Sequence, residues 1–84
     1  EEENVTWKVF PNPFSNRVQI NATKAGLTLI QVYDLSGKLL LTEQRNIAIG
    51  GHEILDLTLL PSGEYILRLT QNGKVEEQQI LVKY

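Results

Sequence analysis

The sequence contains no cysteine, which excludes a disulfide staple, a thiolate nucleophile and any Cys-based metal site. No apolar run approaches the ~20 residues that a membrane-spanning helix requires. Basic residues do not dominate: eight Lys and Arg stand against ten Asp and Glu, for a formal net charge of −2. A protein that grips a phosphate backbone needs a basic face, so nucleic acid is not among the expected partners. Histidine occurs once, at His52. No segment sustains the i, i+3, i+4 apolar spacing of a helix over three turns. The chain opens Glu1-Glu2-Glu3-Asn4, with no basic-then-apolar leader. The simplest expectation is one domain of a longer protein, with residues 1–6 a linker and residues 7–84 the folded unit.

What is present has the strand period. The 84 residues are 42% apolar, enough for a single small globular domain. Val5, Trp7 and Val9 alternate with Thr6 and Lys8, and Pro11-Asn12-Pro13 stops that strand. Val18, Ile20 and Ala22 alternate with Gln19 and Asn21. Residues 28–33 form a strand with Ile30 and Val32 as the inward pair. Asp34-Leu35-Ser36-Gly37-Lys38 turns into a returning strand at residues 39–43: Asp bonds its own downstream backbone, and Gly accepts positive φ. Residues 46–51 read as a looser stretch, followed by a strand at 54–59 with Leu55 and Leu57 facing the core around Asp56. Leu60-Pro61-Ser62-Gly63 is a second turn, after which Tyr65, Leu67 and Leu69 alternate with Ile66 and Arg68. Asn72-Gly73 carries the strongest short hairpin signal, because a type I′ turn needs positive φ at both central residues. Residues 75–84 close the chain, with Ile80, Val82 and Tyr84 expected on the core side. About seven short strands at this spacing predict an all-β, immunoglobulin-like β-sandwich.

The pattern offers little chemistry. Ser15, Ser36 and Ser62 could each serve a Ser-His-Asp site with His52, but no nucleophile-elbow pattern occurs. Ser36 and Ser62 precede turn glycines and read as backbone-bonding residues; His52, beside Gly50-Gly51, reads as a solvated loop residue. The acids scatter over turns and outward strand positions, unlike a paired-carboxylate dyad. No Asp-x-Asn-x-Asp loop or glycine-rich phosphate loop is present. No cofactor and no metal are expected, and the protein reads as a non-enzyme. Trp7 is expected to plug one side of the sandwich. Tyr65, two residues past Gly63, resembles a tyrosine corner, in which the phenol bonds back to upstream backbone.

Four blocks, in order and in register, carry a more specific signal. They are Val9-Phe10-Pro11-Asn12-Pro13-Phe14, Val32-Tyr33-Asp34-Leu35-Ser36-Gly37-Lys38, Leu60-Pro61-Ser62-Gly63-Glu64-Tyr65-Ile66-Leu67-Arg68, and Asn72-Gly73-Lys74 with Ile80-Leu81-Val82-Lys83. Together they resemble the type A C-terminal sorting domain of the type IX (Por) secretion system of Bacteroidota, over nearly the whole chain. The resemblance implies an immunoglobulin-like fold and a secretion signal. The parent protein would reach the periplasm by the general route, and this domain would direct it through the outer-membrane translocon to the cell surface or the medium. The implied partners are the type IX machinery with its outer-membrane shuttle protein, and a sortase-like cysteine protease that removes the domain near its N-terminal boundary. Residues 1–6 would then link the domain to an upstream cargo. Pro11, Asn12, Pro13, Asp34, Gly37, Gly63 and Tyr65 match the family's structural motifs, while Gly73, Lys74, Val82 and Lys83 match its terminal segment. The chain departs from the family pattern in ending on Tyr84, where many members carry Lys or Arg, and in the acidic and polar run Glu76-Glu77-Gln78-Gln79.

A terminal strand can offer its backbone and alternate side chains to a partner. On the strand period, Leu81 and Lys83 are expected to point outward and, with Gly73, Lys74 and Val82, to form the translocon-recognition row. The other reading of the lysines is protection of an edge strand against aggregation. Exposed edges also allow a strand-mediated homodimer. The competing function is a non-catalytic adhesive or carbohydrate-binding sandwich, which would display several aromatics on one face.

Overall fold

The computed structural model describes residues 7–84. The expected linker at residues 1–6, including Val5 of the first predicted strand, lies outside the described residues. Seven strands follow one another: β1 (Lys8–Phe10), β2 (Arg17–Asn21), β3 (Gly26–Asp34), β4 (Leu39–Ile47), β5 (His52–Asp56), β6 (Gly63–Gln71) and β7 (Lys74–Lys83). They form a three-stranded sheet in the order β1-β2-β5 and a four-stranded sheet in the order β4-β3-β6-β7. Every pairing between these strands is antiparallel. The chain changes sheet between β2 and β3, between β4 and β5, and between β5 and β6, so the two layers are stitched together as a sandwich.

Period-two patterning fills the space between the layers. Val18 and Ile20 of the small sheet face Ile30, Val32, Leu67 and Leu69 of the large one, all fully buried. Trp7 is buried at the start of β1, and Leu55 and Leu57 are buried around exposed Asp56, as the alternation predicts. Phe14, between the two prolines' segment and β2, is also fully inside. Gln71 and Thr28 form a buried hydrogen-bonded side-chain pair: Gln71 Nε2 donates to Thr28 Oγ1 at 2.9 Å and to the Lys24 carbonyl at 3.2 Å.

Both strong hairpin signals fold as their residues dictate. Asp34 Oδ1 accepts the amides of Ser36 and Lys38, each at 2.9 Å, and the Ser36 hydroxyl at 2.7 Å. These bonds, the hydroxyl first and the Lys38 amide next, hold the Asp34 carboxyl below the usual carboxylate range. Asn72 and Gly73 sit at φ 52° and 74°, the two positive angles a type I′ turn demands.

Several strand limits differ from the sequence reading, those of β4 and β5 most: β3 is Gly26–Asp34 instead of 28–33, and β7 is Lys74–Lys83 instead of 75–84. The fourth strand runs on past residue 43 to Ile47, pairing with β3 as far as Gly26. Its second half is polar because β4 lies at a sheet edge, so apolar alternation under-reports it. The fifth strand begins at His52 and ends at Asp56. Leu57 then leaves the ladder, its amide donating to the Asn16 carbonyl at 2.8 Å, and residues 57–60 form a turn. His52 is therefore an exposed strand residue paired opposite Asn21, not a loop residue.

Candidate functional site

The terminal hairpin is the element on which the functional expectations converge, and its facing is the reverse of the sequence reading. Between Gln71↔Lys74 and Thr70↔Val75 the hairpin pairs regularly, but the next pair is Leu69↔Glu77. Glu76 is the extra residue of a β-bulge. Because side chains alternate with period two, one extra residue turns every later side chain to the opposite face. Without it, Ile80 would stand opposite buried Tyr65; with it, Leu81 does. Leu81 is accordingly fully buried and Lys83 nearly so, while Ile80, Val82 and Tyr84 are exposed. The expected outward placement of Leu81 and Lys83 is thus corrected, as is the expected core role of Ile80, Val82 and Tyr84. The polar run Glu76-Glu77-Gln78-Gln79 holds no apolar residue that could have revealed the change of phase.

Burial turns Lys83 into a structural cation. Its Nζ donates to three carbonyls, those of Leu57 at 2.9 Å, Thr58 at 3.0 Å and Leu60 at 2.7 Å. All three ammonium protons are used, which is how a charge is tolerated inside a small domain. The turn between β5 and β6 is thereby tied to the last strand. Ser62 Oγ strengthens the tie by donating to the Tyr84 carbonyl. Tyr65, buried beside it, donates its phenol proton to the Pro61 carbonyl, the tyrosine-corner bond expected from Gly63 and Tyr65.

The opening motif meets the same strand from its other side. Phe14 forms a parallel bridge with Lys83: the Phe14 amide donates to the Val82 carbonyl at 2.8 Å, and the Tyr84 amide to the Phe14 carbonyl at 3.0 Å. Just upstream, on either side of Asn12, Pro11 and Pro13 have no N–H to offer. The Asn12 side chain supplies the missing groups: Nδ2 donates to the Ile80 carbonyl at 2.8 Å, and Oδ1 accepts the Val82 amide at 2.9 Å. A carboxamide has the same donor and acceptor as a peptide group, so Asn12 continues the parallel ladder of Phe14 around Leu81. Sequence reading assigned Pro11-Asn12-Pro13 to stopping the first strand; its contact with residues 80–84 was not legible from a distance of nearly seventy positions.

Chain-wide comparison agrees with this geometry. The family described as Secretion system C-terminal sorting domain matches residues 8–83. The chain belongs to the Por secretion system C-terminal sorting domain family. No curated protein matches it. The match begins at the first described strand and ends on Lys83, so it contains the opening motif, the tyrosine corner and the terminal hairpin together. As a sorting domain of the type IX system, the chain is the secretion signal of the protein that carries it, and the family is non-catalytic. Its biological setting is passage across the outer membrane to the cell surface.

The remaining groups of the sorting domain fit an address label. Lys74 and Gly73 are exposed at the tip of the β6–β7 hairpin. On the outer face of the large sheet, register aligns Ile80, Ile66, Tyr33 and Leu39 in one row across all four strands. Arg68, beside this row, lies 4.9 Å from the centroid of the Tyr33 ring and donates to Gln78 at 2.9 Å. His52 bonds Gln19 at 2.8 Å, and the Ser36 hydroxyl is held by Asp34. Among the described residues no group of three or more His, Asp or Glu is arranged to hold a metal ion.

Proposed function

We propose that residues 7–84 are the unit read by the type IX machinery, and that residues 1–6 join it to an upstream cargo. The parent protein passes through the periplasm, is received by the outer-membrane shuttle protein, and is freed of this domain at the surface by a sortase-like cysteine protease. Cleavage falls at or upstream of residues 1–4, ahead of buried Trp7. The cargo then stays at the cell surface or is released.

The observation that carries this reading is the join between the two ends of the domain, where Asn12 and Phe14 fasten the terminal strand. The family's opening and closing motifs are one structural unit, so the signal is a folded shape. Gly73 and Lys74 offer direct contacts at the hairpin tip, and Val82 offers one beside Ile80. Leu81 and Lys83 contribute from inside, by fixing how their exposed neighbours are held.

The test is a fusion of residues 1–84 behind a leader-bearing reporter in a type IX-competent cell. Translocon-dependent appearance outside the cell supports the reading; retention in the periplasm of a folded fusion rejects it. The Lys74 contact is tested by Lys74→Glu alone, since charge reversal at buried Lys83 would damage the fold. The aromatics favour the adhesive or carbohydrate-binding alternative less: Trp7, Phe14 and Tyr65 are buried, and of the other three Phe10 lies on the small sheet, Tyr33 on the large one and exposed Tyr84 just past β7. A strand-mediated homodimer would use an edge strand, β1 or β5 of the small sheet or β4 or the first half of β7 in the large one, because the β7 edge past Ile80 is already taken.

A further inference from the structure

β7 is the last strand of its sheet, bonded to β6 on one side only. An open edge of this kind accepts foreign strands, and proteins guard against it. Here the guard is graded along the strand. The bulge at Glu76 interrupts the first half. At the far end Phe14 adds two backbone bonds and is itself fully buried. Between them the guard is a single exposed side chain, Asn12, making two bonds to β7. Its flanking prolines stiffen the segment and contribute no amide proton. Nothing in the core is lost when this one side chain lets go, and Phe14 can remain seated as the pivot.

We infer that Asn12 is a releasable guard: it closes the β7 edge at Ile80 and Val82 to strand addition, and its release turns that edge into an acceptor for an extended strand of the secretion machinery. Once free, the Ile80 carbonyl and the Val82 amide continue the uncovered edge that precedes them, lengthening the backbone available to a partner. Main-chain bonds would supply affinity, and exposed Ile80 and Val82 would supply side-chain contacts. The role of the strand acceptor rests on the sorting reading; the release itself does not.

Native-state hydrogen exchange on the 84-residue chain tests the release directly. The Val82 amide faces Asn12, and the Leu81 amide, on the alternate side, faces β6. Local opening of the guard predicts exchange at Val82 at least about tenfold faster than at Leu81, because segments open with separate free energies. Asn12→Ala should accelerate Val82 further and leave Leu81 unchanged. Equal rates at Val82 and Leu81 in the unaltered chain would overturn the proposal, whether or not the variant folds. In the export fusion, a folded Asn12→Ala domain should leave faster than the unaltered one, because the competent edge no longer waits on release; an equal or slower rate would reject release as a step in recognition. If the unaltered fusion stays inside, the sorting reading fails, while the exchange comparison still decides the guard.

Discussion

Lys83 and Leu60 meet inside the domain, ammonium to carbonyl at 2.7 Å, which joins the end of the last strand to the turn that precedes β6. The same ammonium holds Leu57 and Thr58. Replacing it with an apolar side chain of similar length removes a buried charge and leaves three carbonyls without their donor. Lys83→Met should cost about 1–3 kcal/mol, in the range of hydrogen bonds to charged groups, and Lys83→Glu more, since it sets a carboxylate among those carbonyls. Lys74→Glu, at an exposed turn, should stay within about 0.5 kcal/mol. Urea denaturation of the three variants checks the order; equal losses at positions 74 and 83 would contradict the buried placement.

The bulged register separates two neighbouring apolar residues. Leu81→Ala empties a fully buried site and should cost about 2–5 kcal/mol. Ile80→Ala trims an exposed side chain and should cost well under about 1 kcal/mol. Thermal unfolding of the pair reports the facing of β7 without a structure, and the opposite order would mean an unbulged hairpin.

Single-residue deletions read the same feature in another way. Glu76 is the residue without a partner, so deleting it leaves a regular hairpin with Leu81 still inward. Deleting Gln79 instead flips only residues 80–84, exposing Leu81 and Lys83. The first deletion should give a folded domain with a cooperative melt; the second should not. The measurement is near-ultraviolet circular dichroism, which follows Trp7 and Tyr65 in the core.

Tyr65 contributes through one proton. Tyr65→Phe keeps the ring in place and removes the bond to the Pro61 carbonyl, an expected loss of about 1 kcal/mol. Tyr65→Ala should cost about 3–5 kcal/mol, because it also opens a cavity. Chemical denaturation that found Phe and Ala equally harmful would place the value of Tyr65 in the hydroxyl alone.

Acid should loosen two turns. The Asp34 carboxyl is held low by the Ser36 hydroxyl and the Lys38 amide, and Asp56 by the Thr58 hydroxyl and amide. Each folded-state pKa lies below the ordinary 3.8. Their stabilisation is therefore fully present above that value and is lost as pH falls through the depressed folded values. Unfolding midpoints of Asp34→Ala and Asp56→Ala should differ from the unaltered chain at pH 7 and converge with it as the pH is lowered past 3.8. A difference that persists unchanged at low pH would assign the effect to shape and not to charge.

The residues decided most of the architecture before any contact was known. Alternation at Val18-Gln19-Ile20 and at Tyr65-Ile66-Leu67-Arg68-Leu69 fixes which face of those strands is dry, because a strand presents successive side chains to opposite sides. Asp34 with Gly37, and Asn72 with Gly73, fix two hairpins through chemistry that acts over a few bonds. Family motifs, spread along the chain, identify the sorting role. The tertiary structure alone decided the phase of the terminal strand, the burial of Lys83 and the partnership of Asn12 with Ile80 and Val82. Each of these depends on groups far apart in sequence or on one unpaired residue in a polar run, where hydrophobic periodicity carries no information. Local rules specify elements; the register between them is settled only when the two sheets close on a common core.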